Sequence, residues 1–387
     1  MTATPLRVGF LLNHAAAHQV AHALPIALAM RERLPESQLE VFVSAGAIED
    51  EVRRLMTDDA GLRIVRLDGA RPAANLATRL SGGALPIDRV SILHRNLHRF
   101  RGLNALVVPE KTSLLLKTRF GLEHLKMIHT RHGAGDRAIG FDKASGRFDL
   151  VLMAGAKIRD RLQANGLLDT ARHAIVGYPK FDLLRSPPPS PLFDNGRPTV
   201  LYNPHPSPRL SSWYRAGRHV LDYFARSDRF NLIFAPHVML FAKRFNISLS
   251  PPALARVGLV PREIYGLPHI HVDIGSPASV DMTYTRAADI YLGDASSQVY
   301  EFLASPRPCV FLNPSRHDWR GNVDFAHWRA GPVVEGLAEL DEALGQAVAA
   351  PERWRRHQEE LFAYSFDLDA TPSSERAANA IADFLAA

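Results

Sequence analysis

Cysteine is nearly missing from this sequence: Cys309 is alone among 387 residues. An intramolecular disulfide framework and any cysteine-built zinc or iron–sulfur site are excluded, and nothing calls for an oxidising compartment. Long apolar runs are missing too, because the most apolar N-terminal stretch, 8–30, is interrupted by Asn13, His14, His18, Gln19, His22 and Pro25. A membrane span needs about 20 consecutive apolar residues, and a signal peptide needs an unbroken apolar centre. A cytoplasmic protein is expected, its first residues leading directly into the first strand. Gly-x-Gly-x-x-Gly, Walker-type Gly-Lys-Ser/Thr and His-Glu-x-x-His patterns are absent. That counts against dinucleotide oxidoreductases, P-loop NTPases and helix-borne zinc sites.

Dense basic tracts of the kind that hold nucleic acid are absent as well. The net charge is +6, from 46 basic and 40 acidic residues, which suits contact with phosphates without choosing among them. The densest basic stretch, 94–101, mixes His94, Arg95, His98, Arg99 and Arg101 with apolar residues. It reads as a solvated helix face or as a membrane or polyanion contact.

What is present is alternation. Apolar runs at 7–12, 40–43, 63–66, 105–108, 126–130, 150–153 and 174–176 are separated by amphipathic segments, including a helix expected to follow the first strand through Arg33 and another at 155–164. This is the pattern of parallel strands joined by crossover helices. Residues 185–198 hold five prolines and the Asn195-Gly196 pair, so neither helix nor strand can run through them. After this linker the alternation resumes at 199–202, 231–235, 269–272, 290–292 and 309–311, followed by helical stretches at 341–364 and 373–387. The expectation is an α/β protein of two doubly wound, Rossmann-like domains, 1–184 and 199–365, facing across a cleft, with a C-terminal helix over 366–387.

In such sheets functional groups gather just past the carboxyl ends of strands. The run 126–130 leads into Arg131-His132-Gly133-Ala134-Gly135-Asp136. Glycines let backbone approach a ligand, and a histidine there can take a proton near neutral pH; a glycine-rich turn with a surface histidine is the plain alternative. His237 follows the run 231–235, as a buried satisfied histidine or as a partner in acid–base and charge chemistry. Asp294-Ala295-Ser296-Ser297 ends a short strand where a helix begins, a natural place for phosphate and also for ordinary capping. His14, His18 and His22 recur every four residues, along one face if the segment is helical; packing is the expectation, with His14 as an acceptor contact and no bound metal.

In this order the segments resemble the CDP-glycerol glycerophosphotransferase family, the teichoic-acid polymerases and primases of the GT-B superfamily. The resemblance runs over 126–334. It is carried by His132-Gly133; by Gly177-Tyr178-Pro179-Lys180-Phe181-Asp182, similar to Gly-x-Pro-Arg-x-Asp; and by Leu201-Tyr202-Asn203-Pro204, similar to Leu-Tyr-Ala-Pro. His237 stands where the family has a His-Pro pair, Asp294-Ala295-Ser296-Ser297 with Phe302 resembles Asp-Tyr-Ser-Ser, and Arg320-Gly321 with Asp324 and Gly331-Pro332 resembles the family's tail. Ala295, Lys180 and Val238 depart from the Tyr, Arg and Pro of that pattern. The long basic membrane-binding portion of the polymerases has no obvious counterpart in the first 125 residues.

The resemblance implies a GT-B fold and a CDP-linked polyol phosphate donor held by the C-terminal domain. Its acceptor would be a lipid or glycan hydroxyl. It makes His132 the base, lets His237 and Arg320 offset diphosphate charge, and lets Gly133, Asp294, Ser296 and Ser297 hold the donor; His14 and Arg131 stand on the acceptor side. No cofactor, metal or nucleic acid is implied, and the protein would work in the cytoplasm, peripheral to the membrane. The alternatives are a GT-B glycosyltransferase or UDP-sugar 2-epimerase, and a non-catalytic nucleotide-binding scaffold.

Overall fold

A computed structural model describes residues 5–13, 17–56, 61–81, 85–131, 135–136, 143–168, 172–185, 190–249 and 252–387. The chain forms two compact units, 1–133 with 139–185 and 364–387, and 134–138 with 186–363.

The first unit is built on seven parallel strands: β1 (Arg7–Leu12), β2 (Gln38–Val43), β3 (Arg63–Arg66), β4 (Ala105–Val108), β5 (Lys126–His129), β6 (Leu150–Met153) and β7 (Arg172–Ile175), in the order β3-β2-β1-β4-β5-β6-β7. Strands buried on both faces need continuous apolar runs, and β4 and β6 are buried throughout. On one face Val8, Phe10 and Leu12 pack with Met30 and with Ala377, Ala378 and Ile381 of the last helix, Ser373–Ala386. The Gly177–Asp182 motif serves this helix. Asp182 accepts the N–H groups of Ser373 (3.1 Å) and Ser374 (2.9 Å), and the Tyr178 N–H donates to the Ser373 hydroxyl (3.0 Å). Gly177, at φ +81°, approaches Ser373 and the Asp367 carbonyl so closely that a Cβ would collide.

The first helix departs from expectation. A 3-10 segment, Ala17–His22, precedes the α-helix Leu24–Arg33, which starts with Pro25 in its first turn, where a missing N–H costs nothing. With three residues per turn, positions spaced by four do not share a face. His22 is buried with its ring 5.0 Å from that of Tyr178, a packing role, and His14 lies outside the described residues.

The second unit carries six parallel strands: β8 (Thr199–Asn203), β9 (Asn231–Phe234), β12 (Ile270–Val272), β13 (Ile290–Gly293), β14 (Cys309–Leu312) and β15 (Val333–Val334), in the order β12-β9-β8-β13-β14-β15. Its core joins Val200, Tyr202, Leu232, Phe234, Ile290 and Leu292 to Val220, Leu221 and Phe224 of the helix Arg218–Arg226. An antiparallel hairpin, β10 (Phe245–Leu249) with β11 (Pro252–Arg256), was not legible in the apolar alternation. The single helix expected over 341–364 is two, Leu340–Ala349 and Glu352–Ser365, divided at Pro351, which has no N–H to continue the first.

Candidate active site

In the second sheet the chain winds outward from β8 through β9 on one side and from β13 through β14 on the other. Carboxyl ends of strands at such a reversal leave a crevice between oppositely directed connections, the usual ligand position of doubly wound sheets. Here those ends are Asn203-Pro204-His205 and Asp294-Ala295-Ser296-Ser297.

Asp294 organises this turn from inside. It is fully buried; one carboxylate oxygen accepts the His205 N–H (2.9 Å) and the other accepts the Ser212 N–H (2.6 Å) and hydroxyl (2.8 Å). Burial raises its carboxyl to about 6, against the opposing pull of the Ser212, His205 and Ala295 hydrogen bonds. Both oxygens are thereby occupied within the fold, holding the loop 205–212 against the end of β13. The Tyr202 hydroxyl is 2.9 Å from the Ser212 hydroxyl and completes the support.

The carbonyl of Asp294 accepts two further bonds, from His327 Nε2 (2.9 Å) and Trp328 Nε1 (3.0 Å). The other ring nitrogen of His327 lies 2.8 Å from the Asp136 carboxylate, which also accepts the His327 N–H (3.1 Å) and the Tyr300 hydroxyl. A carbonyl and a carboxylate are both acceptors, so both ring nitrogens of His327 are engaged within the fold. Gly135, one residue earlier, packs so that a Cβ there would sit 3.2 Å from Ser297. Asp136, His327 and Trp328 were not expected from the sequence. Their only signal was Asp136 within the His132–Arg137 run.

Two histidines flank the same sheet end. His237 Nδ1 accepts the Met239 N–H (3.2 Å), and His205 Nδ1 accepts the Ser207 N–H (2.9 Å). In the neutral rings the proton therefore sits on Nε2, leaving each histidine a hydrogen-bond donor at that atom. Their ring centroids are 5.9 Å apart. His205 was also missed, although it stands two residues past its strand, much as His237 follows β9.

Ser296 is fully buried, its hydroxyl 3.4 Å from the Gln298 N–H, whereas Ser297 is exposed. The helix they precede, Gln298–Phe302, has only five residues, so its dipole is short and the exposed hydroxyl and N–H groups carry whatever anion contact the turn makes. Arg320 is exposed before Gly321 (φ +75°), its guanidinium 5.0 Å from the Trp319 ring. Trp319 in turn meets Trp328, at 6.2 Å between ring centroids.

In the first unit β1 and β4 form the corresponding reversal. Asn13 donates to the Arg89 carbonyl (3.2 Å), and the Glu110 carboxylate accepts the N–H groups of Thr112 (2.6 Å) and Ser113 (3.1 Å). Arg131, past β5, is half-buried in a left-handed conformation (φ +58°) beside His22, Thr130 and Tyr178. His132 and Gly133 lie outside the described residues. Among the described residues no three His, Cys, Asp or Glu side chains group as metal ligands.

No family model and no curated protein matches the sequence. Solved structures do. A wall teichoic acid polymerase, TagF, soaked with CDPG, is similar with a TM-score of 0.62 at 13% identity, over 99% of this chain and 89% of that one. The chain has the GT-B fold. A UDP-N-acetylglucosamine 2-epimerase is similar with a TM-score of 0.58 at 12% identity, over 100% of this chain and 96% of that one. The glycotransferase of kitacinnamycin is similar with a TM-score of 0.57 at 12% identity, over 98% and 99%.

Proposed function

We propose that this GT-B chain transfers glycerol phosphate, or a related polyol phosphate, from a CDP-activated donor to a hydroxyl of a lipid or glycan acceptor. The observation that carries this reading is the paired His205 and His237 at the carboxyl ends of β8 and β9, each with Nδ1 bonded to a backbone N–H. Nε2–H donors suit the anionic oxygens of a diphosphate, and the exposed Ser297 adds a hydroxyl. Asp294 positions the loop that bears His205. Arg320, stacked near Trp319, supplies the positive charge. The sequence resemblance, and likeness to a polymerase soaked with CDPG, support a cytidine donor.

In the proposed reaction His132 takes the acceptor hydroxyl proton, the acceptor oxygen forms a bond to the donor's β-phosphorus, and the bond from that phosphorus to the bridging oxygen breaks. CMP leaves with the electron pair. In this proposal Gly133 belongs to the donor side, and His14 and Arg131 are assigned to the acceptor side. No helix among the described residues can cross a membrane, so a lipid acceptor would be met at the bilayer surface.

A ligand that binds only the native state raises the melting temperature. CDP-glycerol and CMP should raise it more than UDP-sugars, and His205→Ala with His237→Ala should shrink the shift that CDP-glycerol gives. A uridine-selective shift would instead favour the second reading, a glycosyltransferase or 2-epimerase, for which the similarity to both kinds of structure speaks. Binding without consumption under any acceptor would leave the non-catalytic reading.

A further inference from the structure

The helix Pro72–Leu80 buries none of its residues. Leu76 is 57% exposed and Leu80 79%, four positions apart and so on one face. Leu85 (57%) and Ile87 (36%) follow, the latter opening the helix Ile87–Arg95. The two helices are tied by Thr78, whose hydroxyl donates to the Asp88 carboxylate (3.1 Å) and accepts the Asp88 N–H (2.9 Å). An apolar face of this kind needs a partner.

Charge identifies it. Segment 61–101 holds eight arginines, no lysine and two acidic residues, a net +6 that equals the charge of the whole chain. Of the two acids, Asp88 is engaged with Thr78 and Asp68 lies 3.9 Å from Arg99. Arg63 and Arg66 pair with Glu40 and Glu49, but Arg71, Arg79 and Arg89 make no ion pair among the described residues. Leucines flanked by unpaired arginines match an acidic lipid surface, in which the leucines enter the acyl boundary while the guanidinium groups meet the headgroups.

Position adds to this. The helix follows the carboxyl end of β3, and the helix 87–95 begins beside Asn13, at the carboxyl end of β1. The apolar face therefore lies at the sheet edge where the first unit would receive an acceptor. The hairpin of β10 and β11 also exposes Ile247 and Leu254. It is a two-stranded sheet with outer backbone edges that a bilayer cannot satisfy, so it suits a protein partner instead.

We propose that the helix 72–80, with Leu85 and Ile87, docks the protein on an acidic bilayer through Leu76 and Leu80 inserted between Arg71, Arg79 and Arg89. This deepens the functional reading by making the acceptor membrane-borne and rests on that reading only for the acceptor; the docking itself is independent of donor chemistry.

The test is flotation of the full chain, without nucleotide, on vesicles of phosphatidylcholine alone or mixed with phosphatidylglycerol. The protein should float with the acidic vesicles and be released by salt. Leu76→Glu/Leu80→Glu should lower partitioning by about tenfold or more, and Arg71→Glu/Arg79→Glu should remove the preference for acidic lipid. Ile247→Glu/Leu254→Glu should change neither. The substituted side chains all lie well out in solvent, so melting should be unchanged and a folding defect would be visible separately. Failure to float on either vesicle, equal flotation of the Leu76/Leu80 variant, or loss caused only by the hairpin variant would overturn the docking. Heparin binding lost through the arginines, with no vesicle binding, would assign the face to a soluble polyanion. Vesicle binding with no cytidine-selective stabilisation would keep this inference and remove the proposed donor.

Discussion

Asp294 is a carboxylate placed where water is not. Its proton is held to about 6 in the folded chain against 3.8 for a free side chain. Between those values the native state keeps a proton that the unfolded chain has released, so stability falls as pH rises from about 4 to about 6, by up to about 3 kcal/mol. Above that range the loss is complete. Asp294→Asn cannot titrate, and denaturant unfolding at a series of pH values should show its curve flatter than that of the parent over that interval; an unchanged slope would detach the effect from Asp294. Asp136→Asn weakens the buried hydrogen bonds to His327 and Tyr300 and should lose about 1–3 kcal/mol, read by the same method. These residues were hard to read in the sequence because an aspartate that caps a loop and one that touches a ligand look alike as letters. Only the positions of Ser212 and His205 tell them apart.

At the scale of elements the sequence was most legible where an element is buried on both faces. β4, β6, β9 and β13 coincide with apolar runs because both faces of a covered parallel sheet demand apolar side chains. β11 alternates between exposed and half-buried residues and carried no such signal. The last helix was legible, but its use was not. Asp182 caps it from 191 residues away, so Asp182→Ala should cost about 1–2 kcal/mol. Ile381, buried against β1 and the helix 24–33, should cost about 2–5 kcal/mol as alanine. Urea denaturation of each variant checks both values, and a loss below half a kcal/mol for Ile381→Ala would remove the helix from the core of the first unit.

For the whole molecule, each unit has its own apolar cores, and all four tryptophans, Trp213, Trp319, Trp328 and Trp354, belong to the second unit. Tryptophan fluorescence therefore reports the second unit, while circular dichroism reports both. Ile381→Ala should lower the transition seen by dichroism more than the one seen by fluorescence, and equal shifts would mean that the units unfold as one. The sequence by itself determined the α/β alternation, because strand burial acts over a few neighbouring residues. It also located His237 and the Asp294–Ser297 turn, since parallel strands put their carboxyl ends at one edge. Tertiary structure alone decided that Asp136 joins the second unit, that His205 stands beside His237, and that Asp182 holds a helix. Those contacts join residues far apart in the chain, and their geometry is set by packing rather than by local preference.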